Sequence, residues 1–240
     1  MPDRAALVTG ASRGIGLALA DALGDEGHAL TISARKPDTI EQAAESLRAK
    51  GYEVQAVAAN MADEQAIASL VEAHRDRYGR LDVLVNNAGV GIGSGAGDQQ
   101  TKHIDLQIGV NLRAIVLLYR DCLEMLRAAG AEHRNAVVVN LASIAGKSPA
   151  AWLSVYSATK AAVLAYTVAM NKELGADGIK STALAPGFVD TDMTDFIKGS
   201  VSADEMIRPT DLAEALRFLL RTSSNCVVPE IVFGRPDETI

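Results

Sequence analysis

The sequence predicts an α/β fold: a seven-stranded parallel sheet, doubly wound, with helices on both faces. Short aliphatic runs alternate with amphipathic stretches from one end of the chain to the other, and parallel strands need such crossover segments. Aromatic residues make up only 4% of the chain, so aliphatic side chains must fill the core, as is typical of strands buried on both faces. A glycine-rich turn joins the first strand-like run to the first helical one.

The individual elements follow from this alternation. The expected strands are Ala5–Thr9, Ala29–Ser33, Val54–Ala58, Leu81–Val85, Ala136–Leu141, Ser181–Leu184 and Val227–Val232. The expected helices are Ile15–Asp25, Thr39–Lys50, Asp63–Tyr78, Thr101–Ala129, Val155–Leu174 and Thr210–Leu220. Right-handed crossovers then place ligands at the carboxyl ends of the strands. Because no linker divides the chain, residues 1–240 are predicted to form a single domain.

Composition and charge exclude several classes of protein. A net charge of −7 argues against nucleic acid as a partner, since phosphates demand a basic surface. Cys122 and Cys226 form no CxxC pair, and the four histidines lie in different segments, so we expect no metal site. No signal peptide and no apolar run of roughly 20 residues is visible. We therefore expect a cytoplasmic protein without a membrane partner.

The turn after the first strand has the spacing G-x₃-G-x-G. Gly10 permits a tight turn, Gly14 lets a pyrophosphate approach the backbone, and Gly16 lets the helix pack against the strand. Free N–H groups and the positive helix end then bind phosphates, with Ser12 and Ile15 in the same turn. This predicts a Rossmann-type dinucleotide site, against the alternative that the glycines serve packing alone.

The end of the second strand indicates which dinucleotide binds. An NAD site would place an acidic residue there for the ribose 2′-hydroxyl, but Ala34 occupies this position and Arg35 follows it. With Arg13 in the glycine-rich turn, two guanidinium groups can flank a 2′-phosphate. The alternative is that both arginines are solvated surface residues. NADP(H) is the predicted cofactor.

A candidate proton donor lies in the fifth helical stretch. Tyr156 and Lys160 stand four residues apart, so they share one helix face. A phenol with a pKa of ~10 is a poor acid near neutral pH, and we expect the adjacent ammonium to lower that pKa. Ser143, at the end of a strand, would orient the substrate oxygen. The alternatives are that Tyr156 and Lys160 are an ordinary surface pair on a helix and that Ser143 is a plain turn serine.

These residues fall in a familiar order. From Leu7 to about Phe233 the chain resembles the single-domain branch of the short-chain dehydrogenases/reductases. The matching signatures are Thr9-Gly10-x₃-Gly14-x-Gly16, Asn86-Asn87-Ala88-Gly89, Asn111, Ser143, Tyr156-x₃-Lys160 and Pro186-Gly187.

The resemblance implies further roles. Asn111 would help hold a water that relays protons to Lys160, which together with Tyr156 would also contact the cofactor. Other cofactor contacts would come from Asn87, Ala88, Gly89, Pro186, Gly187, Val189 and Thr191. Members of the family often carry an Asp after the third strand, against adenine. Here Asn60-Met61 stands in that segment, and we expect the Asn60 amide to keep this contact.

The substrate pocket is expected between the loops 90–97, 144–153 and 188–201, the last forming a lid. Its apolar walls would come from Trp152, Leu153, Phe188, Met193 and Phe196. Core or dimer packing is the alternative role for each. Relatives that reduce 3-oxoacyl carriers usually have a Thr-Gly-Gln segment before the last strand, where this chain has Ser223–Cys226, so a broad carbonyl reductase is equally compatible.

The predicted function is NADP(H)-dependent reduction of a carbonyl to an alcohol in a small molecule, with Tyr156 as general acid/base. The alternative is a cofactor-binding sensor or scaffold without turnover. A sugar epimerase or dehydratase of the same fold is a third possibility, but such enzymes are longer chains with an added substrate domain, for which 240 residues leave little room. Because the long helices 101–129 and 155–174 keep apolar residues on more than one face, we expect a homodimer or homotetramer.

Overall fold

Seven parallel strands form one sheet in the order β3-β2-β1-β4-β5-β6-β7. We describe residues 2–236 in a computed structural model, with the side chain of Phe196 outside the described part. The strands are β1 (Ala5–Thr9), β2 (Ala29–Ala34), β3 (Val54–Ala58), β4 (Val83–Asn86), β5 (Ala136–Leu141), β6 (Ile179–Pro186) and β7 (Glu230–Phe233). This topology confirms the predicted fold class.

Helices connect successive strands and cover both faces of the sheet. They are α1 (Gly14–Asp25), α2 (Pro37–Arg48), α3 (Glu64–Tyr78), α4 (Thr101–Ile108), α5 (Ala114–His133), α6 (Ser154–Leu174) and α7 (Pro209–Arg221). Local sequence fixes several ends. Asp63 caps α3 by accepting hydrogen bonds from two backbone N–H groups, and Gly79 ends it in the left-handed conformation, with φ of 67°.

Side chains that alternate along the strands divide the core into two layers. On β1, Leu7 packs with residues of α3, α5 and α6, such as Leu70 and Leu118. Val8 points to the other face and packs with residues of α1, α2 and α7, such as Leu216. The period of two in the strand thus separates the layers, and burial on both sides explains the aliphatic runs in the sequence.

Several predicted strand boundaries differ from the structure, and those of β4, β6 and β7 differ by two residues or more. β4 begins at Val83 instead of Leu81, β7 begins at Glu230 instead of Val227, and β6 extends two residues beyond the aliphatic run at each end. The extension of β6 to Pro186 is possible because each residue from Ala183 to Pro186 pairs with β7. Hydropathy marks the buried centre of a strand, whereas hydrogen bonds to its neighbours decide where the strand ends.

The helix predicted over 101–129 is interrupted. A π-helical turn over Gly109–Arg113 separates α4 from α5, and α5 continues to His133. A π turn holds one residue more than an α turn, so it shifts the faces that the two helices present. Asn111 lies in this turn, at the position where the resemblance implied a functional residue.

Two further findings on the described residues concern membrane-spanning helices and metal sites. Within residues 2–236, none of the helices combines the length and apolar character that crossing a membrane requires. The same part of the chain brings no three His, Cys, Asp or Glu side chains together in an arrangement that could hold a metal ion.

Candidate active site

A cleft of about 620 Å³ opens at the carboxyl ends of the central strands. It lies where the strand order reverses between β1 and β4, the place where doubly wound sheets leave a crevice. Many predicted site residues line it: Gly10, Ser12, Arg13, Gly14, Ile15, Gly16, Arg35, Asn60, Met61, Asn87, Ala88, Gly89, Tyr156, Lys160, Thr191 and Met193. Sequence reasoning had not singled out Ser33, Ala59, Leu106, Val110, Leu141, Ala142 and Asp192, which line it too.

A set of hydrogen bonds closes the floor of the cleft between β1 and β4. The Thr9 hydroxyl donates to the Val85 carbonyl at 3.3 Å and accepts from the backbone N–H groups of Asn87 and Ala88 at 3.1 and 3.2 Å. The Asn87 amide donates to the carbonyls of Thr9 and Gly10, both at 2.9 Å. The two strand ends therefore hold each other through side chains where the sheet ladder stops.

The glycine-rich turn has the geometry that its spacing predicts. Gly10 and Gly14 both have positive φ, 66° and 56°, a conformation that glycine adopts without strain. A Cβ at Gly16 would lie 2.3 Å from the Gly10 carbonyl oxygen and 2.4 Å from the Asn87 amide nitrogen. The first turn of α1 has no side-chain cap, so its free N–H groups face the cleft as an anion site.

The other end of the cleft lies beside β2 and β3. Arg35 is exposed there, directly after the strand. The Ser33 side chain is fully buried, and its hydroxyl has no hydrogen-bond partner among the described residues. An orphan buried hydroxyl in a cleft wall fits a polar ligand at this end. The Asn60 amide oxygen accepts from the Ala62 N–H at 3.2 Å, which leaves one of its two lone pairs for another donor.

Arg13 has a partner that the sequence did not suggest. Its guanidinium forms an ion pair with Asp192 at 2.8 Å. Asp192 opens a short 3₁₀ helix over Asp192–Ile197, within the segment 188–201 that the sequence identified as a lid. The pair joins the lid to the glycine-rich turn across the mouth of the cleft.

Tyr156 and Ser143 meet at the edge of the cleft. Burial, which is the larger effect, raises the pKa of the Tyr156 phenol, whereas the Ser143 hydroxyl lowers that pKa by less. The net shift is upward, contrary to the lowering that we expected from Lys160. The reason is geometric, because the Lys160 ammonium lies 5.7 Å from the centre of the Tyr156 ring and donates its hydrogen bond elsewhere.

Lys160 is buried beneath Tyr156. Its ammonium donates to the Leu141 carbonyl at 2.6 Å, and burial lowers its pKa to about 8. The helix that carries it packs closely on the loop after β5, since a Cβ at Gly146 would lie 2.7 Å from the Lys160 carbonyl carbon. One helical turn of α6 therefore places a phenol at the cleft and an ammonium just behind it.

A buried polar network below Lys160 fixes α6 against the sheet. The Asn140 amide nitrogen on β5 donates to Thr167 of α6 at 2.9 Å and to the Tyr119 hydroxyl of α5 at 3.0 Å. Its amide oxygen accepts from Asn86 on β4 at 2.8 Å. Because such networks tolerate few alternative arrangements, they set the helix position that presents Tyr156 and Lys160.

Asn111 lies near Lys160, on the other side of Gly89, and its side chain holds the backbone of the loop after β4. Its amide oxygen accepts from the Val90 N–H at 2.8 Å, and its amide nitrogen donates to the Val90 carbonyl at 2.9 Å and to Thr159 at 3.1 Å. The amide thus connects the loop after β4 to α6. The side-chain amide thus already has partners at both its oxygen and its nitrogen, and a role of Asn111 in holding a relay water stays a prediction.

Several predicted contacts lie outside the lining of the cleft. Of the described site residues, these are Asn111, Ser143, Trp152, Leu153, Pro186, Gly187, Phe188 and Val189. Ser143 lies just behind the wall, with its hydroxyl 3.4 Å from the Pro186 carbonyl oxygen. Trp152 is 61% exposed and its ring packs against Gly93. The predicted contact from the Phe196 side chain falls outside the described part of the chain.

Comparison with known proteins agrees with this geometry. The profile of the short chain dehydrogenase family matches residues 4–200. A 3-oxoacyl-[acyl-carrier-protein] reductase of Staphylococcus aureus (strain Mu50) is 30% identical over 238 residues, covering 95% of both chains. The chain belongs to the short-chain dehydrogenase family of oxidoreductases, as the resemblance predicted.

Two solved structures are also similar over nearly the whole chain. One is a metagenomic short-chain oxidoreductase in complex with NADP, with 30% identity, a TM-score of 0.83 and 97% of both chains covered. The other is a 3-ketoacyl-(acyl-carrier-protein) reductase from Brucella melitensis complexed with NADH, with 30% identity, a TM-score of 0.86 and 96% of both chains covered.

The tight packing at Gly16 gives a stability prediction. Gly16→Ala places a methyl group against backbone and amide atoms that cannot move freely, so we expect a loss of ~1–3 kcal/mol in the free energy of unfolding. Thermal unfolding followed by circular dichroism measures this. Gly97→Ala is the control, because a Cβ there meets nothing within 4 Å. Equal melting temperatures for the two variants would contradict the prediction.

Proposed function

We propose that this protein is an NADP(H)-dependent reductase that converts a carbonyl group, a ketone or a 3-oxoacyl group, to an alcohol. The observation that carries the proposal is the Tyr156 phenol on the lining of the cleft, close to the Ser143 hydroxyl that lowers its pKa and in front of the buried Lys160 ammonium. The glycine-rich turn lines the same cleft, so a nucleotide site and a proton donor open into one space.

The residues present fit a nicotinamide dinucleotide phosphate. The uncapped start of α1 offers N–H groups to a pyrophosphate. Arg13, Arg35 and the orphan Ser33 hydroxyl would surround a 2′-phosphate. The similar structures that bind NADP or NADH support a nicotinamide cofactor in general, and the absence of an acidic residue at Ala34 favours NADP.

The chemistry follows from the three side chains. When bound, NADPH supplies a hydride to the carbonyl carbon. The hydroxyls of Ser143 and Tyr156 hold the carbonyl oxygen, and Tyr156 donates its phenolic proton to it. A raised pKa keeps this phenol protonated and ready to act as the acid. The Lys160 ammonium, 5.7 Å from the centre of the ring, would offset part of the cost of burying the phenolate that remains. Asn111 keeps α6 and the loop after β4 in place.

The substrate side of the site is apolar. Met193 lines the cleft and is exposed, and Trp152 is exposed on the neighbouring loop. Both favour a substrate with an apolar part next to its carbonyl. The similarity to 3-oxoacyl reductases makes acetoacetyl thioesters the first substrates to test, followed by diketones, quinones, aldehydes and steroids.

Replacement of the proton donor tests the proposal directly. Tyr156→Phe removes the phenolic proton while keeping the ring, so we expect turnover with NADPH to fall by about 10²–10⁴-fold with nearly unchanged NADPH affinity. Steady-state kinetics and fluorescence titration give the two quantities. Tight NADPH binding by the natural chain with no turnover of any tested carbonyl would instead favour the sensor or scaffold alternative.

The lowered pKa of Lys160 predicts how the reduction depends on pH. Below about pH 8 Lys160 is an ammonium, and above it the charge is lost, so stabilisation of the phenolate disappears. We expect kcat for reduction to be level near pH 7 and to fall as pH rises through about 8. Lys180→Gln removes a buried lysine near the start of β6, the end away from the cleft, and should leave the decline unchanged. A rate that stays level to pH 9.5 would contradict this role for Lys160.

The two arginines have their own test. The double variant Arg13→Ala/Arg35→Ala removes both guanidinium groups from the predicted 2′-phosphate site, so we expect NADPH affinity to fall by about tenfold or more relative to NADH. Arg77→Ala/Arg127→Ala removes two exposed arginines that pair with Glu53 and Asp177 elsewhere and serves as the control. Equal losses for the two cofactors would remove the argument for NADP.

We also propose that the chain forms a homodimer or homotetramer. Ile108, Val116 and Val168 are exposed on the helices that the sequence singled out, and Phe218 on α7 and Val227 before β7 are exposed too. Large apolar side chains at the surface favour isologous contacts between copies. Size-exclusion chromatography with light scattering should give the mass of two or four chains, and a stable single chain would contradict the proposal.

We also propose that the protein is cytoplasmic. The Cys226 thiol is exposed and forms no disulfide bond within the described residues. Reducing compartments preserve such thiols.

A further inference from the structure

The contact between Arg13 and Asp192 connects the glycine-rich turn, where a cofactor phosphate favours positive charge, with an acidic residue of the lid. Arg13 belongs to the turn that would hold the cofactor phosphates, and Asp192 belongs to the lid. Their charged groups lie 2.8 Å apart, although the side chains are 73% and 57% exposed. An exposed pair at this distance restricts two mobile side chains, so each limits what the other can bind.

The backbone around Asp192 presents its carboxylate to the turn. Thr191, directly before it, approaches Gly14, where a Cβ would lie 3.0 Å from the Thr191 methyl group. The Thr194 hydroxyl donates to the carbonyls of Val189 and Thr191 at 2.7 and 2.8 Å. These bonds hold the start of the lid helix, and Asp192 with it, next to the glycine-rich turn.

Asp192 differs in its partner from the other acidic residues of the lid. Asp190 and Asp195 both pair with Lys198, at 3.2 and 2.8 Å. Asp192 pairs instead with Arg13. The lid lysine therefore balances two carboxylates, whereas the charge of the third is balanced by an arginine from the cofactor side of the cleft.

A 2′-phosphate would compete with Asp192 for the same guanidinium. Arg13 offers a planar set of donors that suits either a carboxylate or a phosphate, and the two anions repel each other at short range. Binding of a 2′-phosphate must therefore displace Asp192 or tolerate its charge. A cofactor without this phosphate meets a much smaller penalty.

We propose that Asp192 is a specificity-determining residue that weakens the preference for 2′-phosphorylated cofactor by occupying Arg13. The proposal rests on the proposed function, in which Arg13 contacts the 2′-phosphate. In the chain without cofactor the pair also closes the lid onto the turn. Asp192 thus sets how strongly the chain distinguishes NADPH from NADH, and how readily it releases the phosphorylated cofactor.

The expected effect is modest because the pair is exposed and screened by salt. Asp192→Asn should increase NADPH affinity by about two- to fivefold, within the range of exposed ion pairs, and should leave NADH affinity nearly unchanged. The increase should shrink between 20 mM and about 500 mM salt, since the Debye length falls well below 10 Å.

The experiment is fluorescence titration of the full chain with NADPH and with NADH, at both salt concentrations. Asp195→Asn is the matched control, because it removes one carboxylate from the same short helix but one that pairs with Lys198. Asp195→Asn should leave the ratio of NADPH affinity to NADH affinity unchanged at both salt concentrations. In Arg13→Gln the further replacement Asp192→Asn should have no effect on the ratio, since the shared guanidinium is gone. Circular dichroism confirms that each variant is folded.

The outcomes separate this inference from the proposed function. A natural chain that binds NADPH through Arg13 and Arg35, with Asp192→Asn equal to Asp195→Asn, overturns the inference alone. Weaker NADPH binding by Asp192→Asn also overturns it, because Asp192 would then orient Arg13 for the phosphate. Failure of the natural chain to bind NADPH overturns both.

Discussion

The hydrogen bonds of Thr9 and Asn87 at the junction of β1 and β4 are the constraint on which the site depends. The strand order reverses here, and the ladder between the two strands ends at the pairing of Val8 with Val85. Side-chain bonds complete it, and the turn at Gly10 can then lie close to Ala88. Everything that lines the cleft, from the first turn of α1 to the loop after β4, is positioned relative to this junction.

A second constraint is the burial of Lys160. A buried ammonium must be hydrogen-bonded to be tolerated, and the Leu141 carbonyl at the end of β5 provides its acceptor. The same burial lowers the pKa of Lys160 to about 8 and raises that of Tyr156. Desolvation thus moves the two pKa values in opposite directions. It keeps the Tyr156 phenol neutral, and it lets Lys160 lose its positive charge in mildly alkaline solution.

The parts of the site that depend on local sequence were predictable. Each of them lies within one local element: the glycine-rich turn, the helix that carries Tyr156 and Lys160, and the end of β2, where Ala34 stands in place of an acidic residue. Contacts between distant segments were not. The orphan hydroxyl of Ser33, the anchoring bonds of Asn111 and the pairing of Arg13 with Asp192 each depend on which elements become neighbours.

The sequence alone determined the fold class, the family and the chemical groups, because hydrophobic periodicity, glycine spacing and helical spacing are local properties of the chain. Only the tertiary structure decided how those groups act on one another. It placed the Lys160 ammonium against a backbone carbonyl instead of the phenol, interrupted a long helix with a π turn at Asn111, and gave Arg13 an acidic partner. Distances between remote residues and the loss of water around them set pKa values and ion pairs, and no local pattern contains them.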